Sequence, residues 1–202
     1  IKHHRASMPR TMGSMYWQLN DVWPGASWSS IDYFGNWKAL HYQARKAFAP
    51  TTLAAENLEG KTTVFVVSDD GASRDFQLRW RVMDFDGEVL SEKRLPVQSI
   101  ALGSKRIVEF DNSHLLDQRD PRKTFLVLEL SDANMLIASE VVYFEATKNL
   151  KLPSADVKME WRLKGEYAEL QLSSATLARM LSIETDALKL RLSDNYFDLL
   201  PQ

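Results

Sequence analysis

The stretch Phe76-Gln-Leu-Arg-Trp-Arg-Val-Met-Asp-Phe85, followed by Asp86-Gly87 and then Glu88-Val-Leu-Ser-Glu-Lys93, sets the fold class. Apolar Phe76, Leu78, Trp80 and Val82 alternate with polar Gln77, Arg79 and Arg81. That is the period of a strand with one face on a core. Asp-Gly between two such runs is a hairpin signal, because a tight turn needs a left-handed backbone that glycine adopts freely. Trp80 lies on the apolar side and reads as core.

Working outward, Thr62–Ser68, Lys105–Phe110, Phe125–Ser131 and Met135–Phe144 also read as strands, with turns at Asp69-Asp70-Gly71 and Asp132-Ala133-Asn134. Short strands at roughly ten-residue spacing suggest an immunoglobulin-like sandwich over 51–148. A second set follows at Val157–Leu163, Tyr167–Leu172 and Ala187–Leu192, with Trp161 expected inside. Three or four strands do not close a sandwich, so 149–202 is expected to be an incomplete immunoglobulin-like domain.

Towards the N-terminus the composition changes near Pro50. Residues 1–50 carry Trp17, Trp23, Trp28 and Trp37, four of the six tryptophans, and only Asp21 and Asp32 as acids; the first glutamate is Glu56. Met12–Leu19 is a short apolar run without clean alternation, which suits a strand covered on both faces. Asn20–Asn36 reads as a long loop. Trp37–Phe48 has helical spacing, with Asn36 as N-cap and Pro50 as stop. Strand, loop and helix make one β/α unit of a parallel fold, and one unit does not stand alone.

The 202 residues hold 25 Lys+Arg against 27 Asp+Glu and no cysteine. The balance argues against a nucleic-acid partner. Missing cysteine excludes disulfides, thiolate zinc sites and thiol nucleophiles. No apolar run approaches the ~18 residues of a membrane helix. Ile1-Lys-His-His-Arg does not read as a signal segment. His3 and His4 lack a third ligand for a metal, and Asp69–Gly71 and Asp117–Asp120 read as turns rather than calcium loops. His41 reads as a helix-face residue and His114 as a loop residue. Trp28 and Trp37 read as structural.

Trp17-Gln18-Leu19-Asn20-Asp21 through Trp23-Pro24, then Ser27-Trp28-Ser29-Ser30-Ile31-Asp32 and Gly35-Asn36-Trp37-Lys38-Ala39-Leu40-His41-Tyr42, resemble β-mannosidases of glycoside hydrolase family 2. Leu192-Ser193-Asp194-Asn195-Tyr196-Phe197-Asp198-Leu199-Leu200-Pro201 is similar to their C-terminal immunoglobulin-like domain. The resemblance covers the whole chain, as the C-terminal part of a longer enzyme. It implies a retaining enzyme that removes terminal non-reducing β-D-mannose from oligosaccharides, without cofactor or metal. The implied architecture is mainly β: the last β/α unit of a (β/α)8 barrel (1–50), an immunoglobulin-like sandwich (51–148) and a truncated second one (149–202).

Residues just past a barrel strand line the active site. The resemblance therefore makes Trp17, Asn20, Asp21 and Trp23 substrate-binding candidates. Trp17 would be the platform under the cleaved sugar, with barrel core as its alternative. Asn20 and Asp21 would hold hydroxyls or brace the loop, and Trp23 would line the entrance. The resemblance also implies a cis Trp17–Gln18 peptide. Both catalytic carboxyls would be glutamates on earlier strands; residues 1–55 contain none, so the chain alone is expected to be inactive. A non-catalytic carbohydrate-binding or interaction module is the alternative from another class, and another family 2 specificity the alternative within it. The compartment is left open; a periplasmic, secreted or lysosomal parent is compatible. Residues 1–50 are expected to pack on the 51–148 sandwich, self-associate through exposed barrel surface, or be poorly ordered.

Overall fold

The computed structural model describes residues 1–133, 135–185 and 191–202. Two short N-terminal elements come first: helix α1 (Lys2–Ala6) and helix α2 (Ala39–Ala47). Seven strands then form a sandwich: β1 (Thr51–Leu58), β2 (Lys61–Ser68), β3 (Arg74–Asp84), β4 (Val89–Ile100), β5 (Gly103–Asp111), β6 (Thr124–Asp132) and β7 (Met135–Tyr143), with helix α3 (Asn112–Leu116) between β5 and β6. One antiparallel sheet has the order β1-β2-β5 and the other β4-β3-β6-β7. The remainder holds the hairpin β8 (Lys158–Lys164) and β9 (Tyr167–Ser173), and the short pair β10 (Ala178–Leu181) and β11 (Phe197–Leu199).

The core lies between the two sheets. Leu53, Val64 and Val66 face Leu78, Trp80, Val82, Leu126, Leu128 and Leu130. Each fully buried aliphatic side chain contributes about 1.5–3 kcal/mol through the water it sheds. Trp80 is buried edge-on against Phe110, at 5.2 Å between ring centroids. Thr124-Phe-Leu-Val-Leu128 is buried at every position, because the second sheet is covered on both faces. On its outer face Met83, Phe85, Phe125 and Val127 pack with Leu177 and Leu200 of the C-terminal part.

Two further contacts fix that junction. The Leu177 amide donates to the Phe85 carbonyl at 2.8 Å. Gly87, at the β3–β4 turn with φ +96°, sits so close to the chain end that a Cβ there would lie 2.9 Å from Pro201 Cβ. The C-terminal motif is bracing material. Asn195 accepts from the Ile183 amide and donates to its carbonyl, and Asp198 accepts from the Met180 amide and, at 2.7 Å, from the Tyr143 hydroxyl.

The expected strands of the sandwich are all present, most within a few residues; the strand expected over Glu88–Lys93 runs on to Ile100. β1 is an addition, over a stretch with no strand signal, and it completes the first sheet by pairing with β2 from Thr51↔Ser68 to Leu58↔Lys61. Met12–Leu19, expected as a strand, is irregular. Among the described residues no strand runs beside it, and extended backbone needs a partner for its amides and carbonyls. The expected helix forms, but Lys38 rather than Asn36 occupies its N-cap. Asn36 is committed elsewhere: its amide and side chain donate to the Asp32 carboxylate, both at 2.8 Å, closing a turn around Gly35. Of Ala187–Leu192, residues 187–190 lie outside the described residues, and Arg191 and Leu192 are irregular. Asn134 of the expected 132–134 turn is likewise outside them. Trp161, expected in a core, is 61% exposed: among the described residues β8 pairs with β9 alone, and all of β8 is exposed.

Of residues 1–50, helix α1 packs on the sandwich. The anchor is Arg5, buried, whose guanidinium donates to the Ala47 and Ala49 carbonyls and to Asp69, each at 2.7 Å. It satisfies carbonyls at the end of α2 that the helix itself leaves unpaired. Lys2 pairs with Glu140 and His3 with Glu56. Helix α2 reaches the C-terminal part: Lys46 pairs with Asp194 at 2.7 Å, and Gln43 donates to the Tyr196 carbonyl at 2.8 Å.

Candidate functional site

Residues 17–21 and 28–31 run side by side. Gln18 and Leu19 carbonyls accept from the Ser30 amide, the Ile31 amide donates to Leu19 at 2.9 Å, and the Asp21 amide donates to Ile31 at 3.1 Å. Between them the chain makes an excursion through Val22, Trp23, Pro24, Gly25 and Ala26. The Trp17–Gln18 peptide is cis, as expected. Trp17, Trp23 and Trp28 project from this unit, 74%, 71% and 78% exposed. Trp28, expected to be structural, lends its backbone carbonyl to the Gln18 amide, and its indole is exposed in this 202-residue chain. Trp37 is half-buried, between the His41 ring at 4.3 Å and the Arg191 guanidinium at 4.7 Å.

Beneath the exposed indoles lies a polar network. The Asp21 side chain is 4% exposed; its carboxylate accepts from the Ser27 hydroxyl and, at 3.0 Å, from the Lys38 ammonium. Those hydrogen bonds, Ser27 first, outweigh the cost of burial and hold its pKa below the usual carboxylate value. Lys38 also donates to Ser29 at 2.7 Å and to Ser27 at 3.2 Å. Ser30, fully buried, contacts Tyr16 Oη and His41 Nδ1, each at 3.0 Å. His41 is thus a helix-face residue, half-buried against the loop. Burial, then Arg45 and Arg191, lower its pKa. Asp32 is also held below the carboxylate range: burial opposes, and the Asn36 hydrogen bonds prevail.

Of the four candidates, Trp17, Asn20 and Trp23 are exposed and Asp21 is buried. Asn20 is exposed, its amide donating to the Asp21 carbonyl at 3.2 Å. Asp21 is engaged in bracing, one of the two roles the sequence left open. A general acid needs a raised pKa, so two ionised, hydrogen-bonded aspartates do not suit that chemistry, whereas exposed indoles suit stacking on the C–H face of a sugar ring. Lys38, Ser27, Ser29 and Ser30 were not singled out from sequence. The readable signal was that Lys38 is the first Lys or Arg after Asp21 in sequence. Among the described residues no group of His, Asp and Glu is arranged to hold a metal ion, and no helix is long and apolar enough to cross a membrane.

Two family models match: the mannosidase Ig/CBM-like domain over residues 60–149, and an Ig-fold domain of mannosidases over 152–202. The chain is 32% identical over 197 residues to a β-mannosidase of Capra hircus, and 28% identical over 194 residues to that of Mus musculus. The chain belongs to the β-mannosidase family. Each alignment covers 93% of this chain and 22% of the relative, so the chain spans about a fifth of the length of these enzymes. Its likeness lies with their C-terminal part. The crystal structure of a β-D-mannosidase from Dictyoglomus thermophilum matches all of this chain and 24% of its own, with TM-score 0.84 and 28% identity. The exo-chitosanase CsxA of Amycolatopsis orientalis shares the fold, at TM-score 0.70 and 14% identity over 98% of this chain and 28% of its own.

Proposed function

We propose that the chain serves a retaining exo-β-mannosidase, which hydrolyses terminal non-reducing β-D-mannose, and that residues 1–50 supply the last strand-loop-helix unit of its catalytic barrel. The observation that carries this reading is the unit itself. In a chain of the β-mannosidase family, Trp17 and Trp23 stand exposed on a segment whose backbone is fixed from below by hydrogen bonds. Trp17 would stack under the mannosyl ring, Trp23 would line the entrance, Asn20 would bond a hydroxyl, and Asp21 would act on substrate through the loop it braces. The sandwiches 51–148 and 149–202 would buttress the barrel. Retaining hydrolysis needs two carboxyls about 5–5.5 Å apart; Asp21 and Asp32 are each tied to other partners, which supports placing both catalytic groups outside residues 1–50.

The test is hydrolysis of an aryl β-mannoside. The 202-residue chain is expected to show none above the blank, and the full-length enzyme containing it to lose at least tenfold in kcat/KM on Trp17→Ala. Turnover by the chain alone, or an unaffected Trp17 variant, would refute the assignment. The binding-module alternative draws little from the hairpin. Trp161 and Tyr167 are both exposed, but Tyr167 pairs with Lys164, three residues from Trp161, so the two rings lie on opposite faces and form no common platform.

A further inference from the structure

We infer that Lys38 is a positioning residue for the indole-bearing loop, fixing where Trp23 stands relative to Trp17. The inference rests on the sugar-binding role proposed above for those indoles, and goes beyond it by assigning their geometry to one cation. The excursion 22–26 has two ends, Asp21 and Ser27, and Lys38 holds both. Its ammonium has three N–H donors and three partners: Asp21 Oδ2 at 3.0 Å, Ser29 Oγ at 2.7 Å and Ser27 Oγ at 3.2 Å. Ser27 closes the base from the other side by donating to Asp21. The Lys38 backbone amide donates to the Ser30 carbonyl at 2.9 Å, so main chain and side chain grip the same returning segment. Since Lys38 is the N-cap of α2, the loop is referenced to the helix, which is in turn fixed by Arg5 and by Asp194.

The indole of Trp23 has little else to hold it. Its ring rests on Gly25, whose added Cβ would lie 3.8 Å from Trp23 Cδ1, and is otherwise open to solvent. Its position therefore follows from where the loop base sits. The three hydrogen-bond partners of the Lys38 ammonium are Asp21, Ser27 and Ser29, all in the loop base, so its proposed effect on a sugar runs through the loop. Removing the ammonium would leave the Asp21 carboxylate buried with only the Ser27 and Ser29 hydroxyls as side-chain partners, and the loop ends free to part.

The experiment separates positioning from simple support of the fold. In the full-length enzyme, Lys38→Met is expected to raise KM for an aryl β-mannoside about tenfold, with kcat changing much less, and Lys38→Arg to recover part of the loss. The double variant Lys38→Met/Asp21→Asn removes the uncompensated charge, so its thermal midpoint should return towards wild type while KM stays high. If KM recovers along with the midpoint, or never rises, the positioning role is overturned. A parallel measurement uses the 202-residue chain, and reads the clamp without any substrate. Hydrogen exchange at the Asp21, Ser30 and Ile31 amides should quicken in Lys38→Met; unchanged protection overturns the clamp. A wild-type enzyme inert on β-mannosides would refute the sugar-binding reading, and this second measurement would still decide whether Lys38 holds the loop.

Discussion

The sandwich of β1–β7 and the loop unit of residues 12–36 are held by opposite means. Between the sheets, Leu53, Leu78, Leu126, Leu128 and Leu130 are sealed from water, and the order of the strands follows from which faces must be hidden. In the loop unit the apolar rings are outside and the polar groups inside: Asp21, Ser29 and Ser30 are buried while Trp17, Trp23 and Trp28 are not. The difference teaches that the two regions answer to different demands. The sandwich spends its aromatic residues on stability. The loop unit builds its order from directional hydrogen bonds, which leaves its indoles available for a ligand or for neighbouring chain.

The sharpest way to break this comparison is to truncate one tryptophan from each region. Trp80→Ala should cost about 3–5 kcal/mol in urea unfolding, through lost burial and the cavity left against Phe110. Trp28→Ala should shift stability by no more than about 0.5 kcal/mol, since its ring is open to solvent. A large cost at Trp28 would mean that the indoles belong to a core after all. Next in size is Gly87→Ala, expected to cost about 1–2 kcal/mol, because a Cβ meets Pro201 and the positive φ strains any L side chain. Its effect should appear as weakened docking of the C-terminal part, seen as faster exchange of the Leu177 amide; unaltered exchange there would locate the cost within the hairpin alone.

The smallest effect is a pH dependence confined to the loop unit. His41 faces Ser30, Trp37, Arg45 and Arg191, and its folded-state pKa lies below the ordinary 6.5. The unfolded chain therefore takes up the proton first as pH falls through about 6.5, and the folded state loses stability from there down to the lower folded value. Above that window the contribution is fully present. Asp21 and Asp32 have lowered pKa values too, so their contribution disappears in a separate window below about 3.8. Trp37 fluorescence during denaturation should show the first step in wild type and not in His41→Gln; a step that survives the substitution belongs to another group.

The sandwich was legible because alternation writes one covered face into a strand, as in Phe76, Leu78, Trp80 and Val82. β1 was not, since Leu53-Ala54-Ala55-Glu56 carries no alternation and little strand propensity; pairing with β2 decides it. Trp161 shows the limit of the same signal: alternation distinguishes two faces without saying whether anything covers either. In the candidate site, the indoles and the cis peptide were legible through the resemblance. The bracing of Asp21 was not, because its partner Lys38 is 17 residues away in sequence and meets it only after the loop has closed.

The outer face of the four-stranded sheet has a practical corollary. A chain stopped near Asn149 would keep all seven strands and both layers of the sandwich, yet it would turn Met83, Phe85, Phe125 and Val127 out to water where Leu177 and Leu200 now lie. Such a piece would fold and then stick to itself, so its solubility, rather than its secondary structure, would report that the C-terminal fifty residues act as a lid on grease.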